Sequence, residues 1–284
     1  MSSILMGRPV AKEIKDNIKV DIAELKKKKI VPTLGIIRMG ERADDLAYEN
    51  SITDNCEALG IGYKVFELER EDSMDKFIEL LDTVNNDDNI HGILIFRPLP
   101  AQIDIDMVKN TINPDKDIDC MNPLNLQKVF TGDLGGFIPC TPKAVIEILK
   151  YYNYDLKGAN VAVVNSSLVV GRPLSMMLLK EKATPTICHS KTKDLMKITS
   201  NSDIVVTAIG KAKFFGTDYF NDTNVVIDVG INNDEDGGIC GDIDYDEVEK
   251  IVKAITPVPG GIGSVTTSIL LSHVIKACKE FKGI

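Results

Sequence analysis

Val161-Ala-Val-Val-Asn-Ser-Ser-Leu-Val-Val-Gly-Arg-Pro173 reads as a buried strand, a turn and the start of a helix. The apolar run Val161 to Val164 suits a strand covered on both faces. Asn165, Ser166 and Ser167 supply turn residues at its carboxyl end, and the following helix runs through Leu179. A loop in this position opens onto helix amides that can hold phosphate. It is nevertheless not GxGxxG, because only Gly171 of that fingerprint is a glycine. Dinucleotide binding and an ordinary strand-to-helix turn both remain open on this stretch alone.

Working outward, a helix is expected from about Lys143 to Tyr152, and strands at Thr186 to Cys188, Ile204 to Ala208 and Val225 to Val229. Such β-α-β succession, with turn residues at the carboxyl ends of strands, describes a doubly wound sheet that takes its ligand at those ends. The first half alternates in the same way. Val10, Ile14, Ile18, Ile22 and Leu25 recur every three or four residues, and the helix they imply stops at Lys26 to Lys29. Strands follow at Pro32 to Arg38, Tyr63 to Leu68 and Ile90 to Phe96, with helices at Leu46 to Leu59 and Ser73 to Asn85 between them. A last helix, about Thr267 to Phe281, can return to pack on this half. The chain is therefore expected to be α/β with two domains: 1–139 completed by 267–284, and 140–266.

Composition narrows the function. With 284 residues, 44% hydrophobic and 26% charged, the chain is globular in character, and it has no apolar run near the roughly 20 residues a bilayer requires. The first residues lack the basic and apolar parts of a secretory signal, so a cytoplasmic location is expected. A formal net charge of -9 and the lack of a basic, aromatic-interleaved stripe argue against nucleic acid as a partner. Six scattered cysteines form no CxxC pair, no metal-ligand spacing is present, and His91, His189 and His273 have no visible catalytic partner.

A second motif is Thr256-Pro-Val-Pro-Gly-Gly-Ile-Gly263, in which prolines stiffen a loop whose glycines leave the main chain bare. It suits a flat ligand lying against backbone, and it equally suits a tight interdomain linker. Taken with Gly135 to Pro142, His91-Gly-Ile-Leu, Pro98-Leu-Pro, Asp115-Lys-Asp-Ile-Asp119, Cys188-His-Ser-Lys-Thr192 and Val226-Ile-Asp-Val-Gly-Ile-Asn232, it resembles the bifunctional methylenetetrahydrofolate dehydrogenase/methenyltetrahydrofolate cyclohydrolase family over nearly the whole chain.

The resemblance implies two domains flanking a cleft, the C-terminal one Rossmann-like, a tetrahydrofolate derivative as substrate, a homodimer, and NADP as cofactor with NAD possible. It assigns folate placement to Tyr48 and to Asp119, whose carboxylate can accept paired hydrogen bonds from an aminopyrimidinone edge. Pro257, Gly260 and Gly261 match the loop walling the folate and nicotinamide region, and Asn165, Ser166, Ser167, Gly171, Ser190, Ile209, Gly210, Asp228 and Ile231 fall at cofactor-side positions. The bland alternatives are a half-buried helix aromatic for Tyr48 and a solvated loop carboxylate for Asp119.

The chain departs from the family at four places. The lysine expected four residues after the tyrosine is Ile52, the glutamine before Pro-Leu-Pro is Phe96, the serine before the tyrosine is Asp45, and Gly-Arg-Ser of the cofactor loop is Asn165-Ser166-Ser167. Oxidation of 5,10-methylenetetrahydrofolate needs positioning against a hydride acceptor, whereas hydrolysis of the methenyl product needs a titratable group near water and the departing nitrogen. A dehydrogenase with weak or absent cyclohydrolase activity is therefore expected, with an ordinary bifunctional enzyme and a catalytically inactive folate-binding or interaction protein as alternatives.

Overall fold

The computed structural model describes residues 2–133, 135–234 and 237–284. The chain opens with β1 (Ser3–Ile4) and α1 (Gly7–Lys27), then β2 (Thr33–Met39), α2 (Ala43–Leu59), β3 (Gly62–Leu68), α3 (Met74–Asn85), β4 (Gly92–Ile95), α4 (Ile105–Thr111) and α5 (Pro123–Thr131). It continues through α6 (Cys140–Tyr151), β5 (Asn160–Val164), α7 (Gly171–Lys180), β6 (Thr184–Cys188), α8 (Leu195–Ser200), β7 (Ile204–Thr207) and β8 (Val225–Asp228). The short pair β9 (Asn232–Asn233) and β10 (Ile239–Cys240) follows, then α9 (Tyr245–Val248), β11 (Ala254–Ile255) and α10 (Ile262–Lys282).

These elements form two compact units, one from Met1–Lys12 with Pro139–Thr266 and one from Glu13–Ile138 with Thr267–Ile284. The second holds a parallel sheet ordered β3-β2-β4. Its central strand β2 is buried from Leu34 to Met39, as a strand covered on both faces must be, and Ile37, Met39, Ile93 and Ile95 share a core with Phe77, Leu81 and Val84 of α3. The first unit holds a six-stranded sheet ordered β1-β11-β8-β7-β5-β6, in which every pairing is parallel. From β5 the chain goes to β6 on one side and then crosses to β7 on the other. The topological switch point of this doubly wound sheet therefore lies at the carboxyl ends of β5 and β7. Among the described residues no helix is long and apolar enough to cross a membrane.

The division differs from the expected 1–139 and 140–266 at the amino terminus. Ser3 and Ile4 pair with Ala254 and Ile255, so residues before Glu13 join the six-stranded sheet. Two-residue strands carry no side-chain period, and neither β1 nor β11 is visible as a pattern. α4 and α5 also escape a periodicity reading because they are 7 and 9 residues long. Their caps were local signals: Asp104 accepts the amides of Asp106 and Met107, and Asn122 accepts that of Leu124. α10 begins at Ile262, five residues before the expected start, so part of the proline-glycine segment is its first turn.

Candidate active site

In the β3-β2-β4 unit the chain leaves β2 and enters α2, which carries Tyr48. Arg38 near the end of β2 is only 3% exposed, and burial of a guanidinium demands partners. Its Nε donates to Glu49 at 2.8 Å, its Nη2 lies 3.0 Å from Glu67, and its Nη1 donates to the carbonyl of Gly40. The ion pair to Glu49 ties α2 to the strand at the residue next to Tyr48. The Tyr48 ring, 39% exposed, packs against Phe96 with centroids 5.3 Å apart and planes 36° from parallel.

Ile52 lies one helical turn beyond Tyr48 and is fully buried, as is Cys56 after it. Burial, reinforced by Glu57, pushes the Cys56 thiol up to about 12, so it stays protonated near neutrality. Asp45 is mostly covered, 3.9 Å from Arg42. Lys64, whose facing the sequence leaves open, is exposed on β3 with its ammonium over the Phe66 ring at 4.7 Å.

The segment from Asp115 to Asp119 divides its two later carboxylates between different tasks. Asp117 is fully buried and accepts the amides of Met121 and Asn122 at 2.9 and 2.8 Å and the Asn125 side chain at 3.0 Å, which makes it a local organiser of the turn. Asp119 instead receives Nη2 of Arg97 at 2.5 Å, and both side chains stay partly exposed. The pair orients a carboxylate at the surface with a guanidinium beside it, able to meet a planar donor-acceptor edge. The sequence reading passed over Arg97. The only signal for it was its place between a buried strand and Pro-Leu-Pro, and its partner is 22 residues away.

In the six-stranded unit, Asn165 stands at the end of β5. Its Nδ2 donates to the carbonyl of Ala208 beyond β7 at 2.5 Å, bridging the two strand ends of the switch point. Its Oδ1 accepts the Ser167 amide at 2.8 Å, the Ser167 hydroxyl at 2.7 Å and the Gly171 amide at 2.9 Å. The loop is thus shaped by an asparagine side chain instead of a run of glycines. Gly171 is still obligatory, since a Cβ there would lie 1.9 Å from the Asn165 carbonyl oxygen. Arg172 folds back so that its Nε donates to the carbonyl of Ser166 at 3.0 Å.

Ser190 is exposed at the end of β6, the strand beside β5. His189 orders that turn, its Nδ1 accepting the Lys191 amide at 3.1 Å and its own amide donating to Thr192 Oγ1 at 2.8 Å. On the other side of β5, Ile209 and Gly210 follow β7 and Ile231, 68% exposed, follows β8. Asp228, by contrast, is 3% exposed and accepts from Gly230, Asp242 and Ile243 amides, so its role is internal; burial raises its carboxyl to about 6. Asp242, which the sequence reading did not single out, accepts the amides of Ile209, Gly210 and Lys211. The loop of Pro257, Gly260 and Gly261 is held to the amino-terminal segment by the Gly7 amide, which donates to the Gly260 carbonyl at 2.8 Å.

This arrangement fits a dinucleotide: the switch point is open to solvent at Leu168, Val169 and Ser190, the β5 loop is tight, and Lys191 and Lys193 follow β6. Comparison with known proteins agrees. Residues 5–119 match the catalytic domain, and residues 139–282 the NAD(P)-binding domain, of tetrahydrofolate dehydrogenase/cyclohydrolase. The chain is 53% identical over 280 residues to bifunctional protein FolD 1 of Desulfitobacterium hafniense, covering 99% of this chain and 100% of that one. The crystal structure of the bifunctional FolD enzyme of Campylobacter jejuni superposes with a TM-score of 0.96 at 37% identity, covering 99% of both chains. That of Trypanosoma brucei methylenetetrahydrofolate dehydrogenase-cyclohydrolase, solved with NADP and an inhibitor, gives 0.92 at 31% identity over 98% of each chain.

Proposed function

The chain belongs to the tetrahydrofolate dehydrogenase/cyclohydrolase family, and from that premise we propose that it works chiefly as a dehydrogenase, with cyclohydrolase activity weak or absent. It is an NAD(P)-dependent methylenetetrahydrofolate dehydrogenase of one-carbon metabolism, and the proposal concerns the second activity.

The observation that carries it is the pairing of a fully buried Ile52 with a Phe96 packed on Tyr48. Both positions given to polar groups by the family resemblance are apolar here, and Cys56, the next inward-facing residue on the helix, is held protonated. Hydride loss from the one-carbon unit leaves a resonance-stabilised amidinium and needs no base from the protein, so orientation suffices. Nicotinamide, when bound, supplies the hydride acceptor. Methenyl hydrolysis needs a proton carrier at the folate nitrogen, and neither Ile52 nor Phe96 can be one.

In this reading Tyr48 stacks along the folate, and Asp119, steadied by Arg97, accepts from its aminopyrimidinone edge. Pro257, Gly260 and Gly261 wall the reaction region. Asn165, Ser166, Ser167, Gly171, Ser190, Ile209, Gly210 and Ile231 surround the cofactor. A homodimer joined through the nucleotide-binding unit accords with the family and with Ile187, exposed on the edge strand β6. We assign the enzyme to the cytoplasm on its metabolic role.

A bifunctional enzyme is the second reading, favoured by the 53% identical relative bearing that name. An ultraviolet assay separates the two. Methylenetetrahydrofolate is supplied with NADP or NAD, and the decay of preformed methenyltetrahydrofolate is followed separately. Reduced nicotinamide without accelerated decay is expected. Acceleration above the spontaneous rate would establish the bifunctional enzyme, and silence in both channels would leave a folate-binding protein without catalysis.

A further inference from the structure

We propose that Asp242 is the positioning residue for the nicotinamide end of the dinucleotide, an inference that rests on the dehydrogenase reading above. The argument starts from strand order. A dinucleotide bound across a switch point puts its adenosine half toward the strand reached by the first βα turn, here β6, and its nicotinamide half toward the strands on the other side, here β7 and β8. The backbone that meets the nicotinamide half therefore comes from residues 208–211 after β7 and 229–232 after β8.

One carboxylate holds both loops. Oδ2 of Asp242 accepts the amides of Ile209 and Gly210 at 2.5 and 3.3 Å, and Oδ1 accepts the Lys211 amide at 2.9 Å and Nδ2 of Asn232 at 3.0 Å. Three successive peptide planes after β7 are thereby fixed, and the segment after β8 is pinned through Asn232 to Oδ1 of the same carboxylate. Asp242 is fully buried, and Gly230 packs so close that a Cβ there would lie 2.3 Å from its Oδ1. The carboxylate is itself held, because the amides of Asp242 and Ile243 donate to the two oxygens of Asp228 at 3.2 and 3.0 Å.

The outer faces of these loops are left to the ligand, with Gly210 and Ile231 both exposed. Asp242 stands behind that backbone and touches no reacting atom. Its effect is to set where the hydride acceptor rests, and rate depends steeply on such placement.

An asparagine at this position would turn an NH2 toward one pair of donors, either the Ile209 and Gly210 amides or the Lys211 amide and Asn232. The test compares wild type, Asp242→Asn and Asn232→Ala, each well below its melting temperature. Calorimetry measures the Kd of the preferred dinucleotide, NADP or NAD, and of its adenosine half, 2′,5′-ADP or 5′-AMP; kcat is measured at saturating cofactor. Asp242→Asn is expected to weaken the dinucleotide by at least about tenfold, the equivalent of one charge-assisted hydrogen bond, and to lower kcat, with the adenosine half binding as in wild type. Asn232→Ala is expected to move the dinucleotide in the same direction by a smaller factor.

Equal loss of dinucleotide and adenosine half would make Asp242 a general structural residue and overturn the proposal, as would unchanged dinucleotide affinity and kcat. If Asp242→Asn does not fold, Asn232→Ala decides alone, and wild-type dinucleotide affinity in that variant overturns the proposal. A wild-type protein that binds neither dinucleotide would sink the dehydrogenase reading and this inference with it.

Discussion

The Tyr48 ring rests on Phe96, 5.3 Å between centroids at 36°, so a buried phenylalanine backs the exposed tyrosine ring that is proposed to meet folate. Tyr48→Ala and Phe96→Ala should each raise the KM for methylenetetrahydrofolate. The double variant should lose less than their sum, by the roughly 0.5–1.5 kcal/mol typical of an aromatic pair. Strict additivity in steady-state kinetics would mean that Phe96 only fills space.

Ile52 is fully buried one turn further along the helix, which makes it a core residue. Ile52→Ala should cost about 2–5 kcal/mol by urea denaturation, as other large-to-small core changes do. Ile52→Lys should cost more, because an ammonium would lose its water without gaining a fixed partner. A stable Ile52→Lys variant would reveal that this helix face opens in solution.

Arg172 brings a guanidinium to Ser166, with its Nε on the Ser166 carbonyl at 3.0 Å. Lys191 and Lys193 follow the neighbouring strand and add positive charge on that side of the loop. Arg172→Ala should therefore raise the KM for NADP by about tenfold and leave that for NAD little changed. Equal losses for both cofactors would assign the guanidinium to the fold or the pyrophosphate instead.

His91 is 4% exposed, its Nδ1 accepts the Thr33 amide at 3.1 Å, and its Nε2 has no hydrogen-bond partner among the described residues. Burial, with Lys282 and Lys116 nearby, lowers its pKa from 6.5 to about 4. The unfolded chain takes up a proton that the folded ring refuses, so stability is unaffected above pH 6.5 and falls as the pH drops from there toward about 4. His91→Gln should flatten the stability profile over that window. A ring that titrates near 6.5 by NMR would contradict the assignment.

Much of the architecture is legible in local patterns. Val10, Ile18, Ile22 and Leu25 line the buried side of α1, and Val161 to Val164 form a strand covered on both faces, because side-chain period depends only on neighbours a few residues away. The motifs around Asp119, Ser190 and Pro257 likewise carry the family resemblance in residue order alone. The partners of those residues are another matter. That Asp119 meets Arg97, that Asn165 bridges to Ala208, and that one carboxylate at 242 gathers the amides of 209 to 211 are pairings across 22 to 43 positions. No periodicity encodes them, since each exists only after separate strands have taken their places in a sheet and brought their loops to the same edge. The same holds for β1 and β11, two residues each, which become strands only because β8 gives β11 an edge to pair with and β11 gives β1 one in turn.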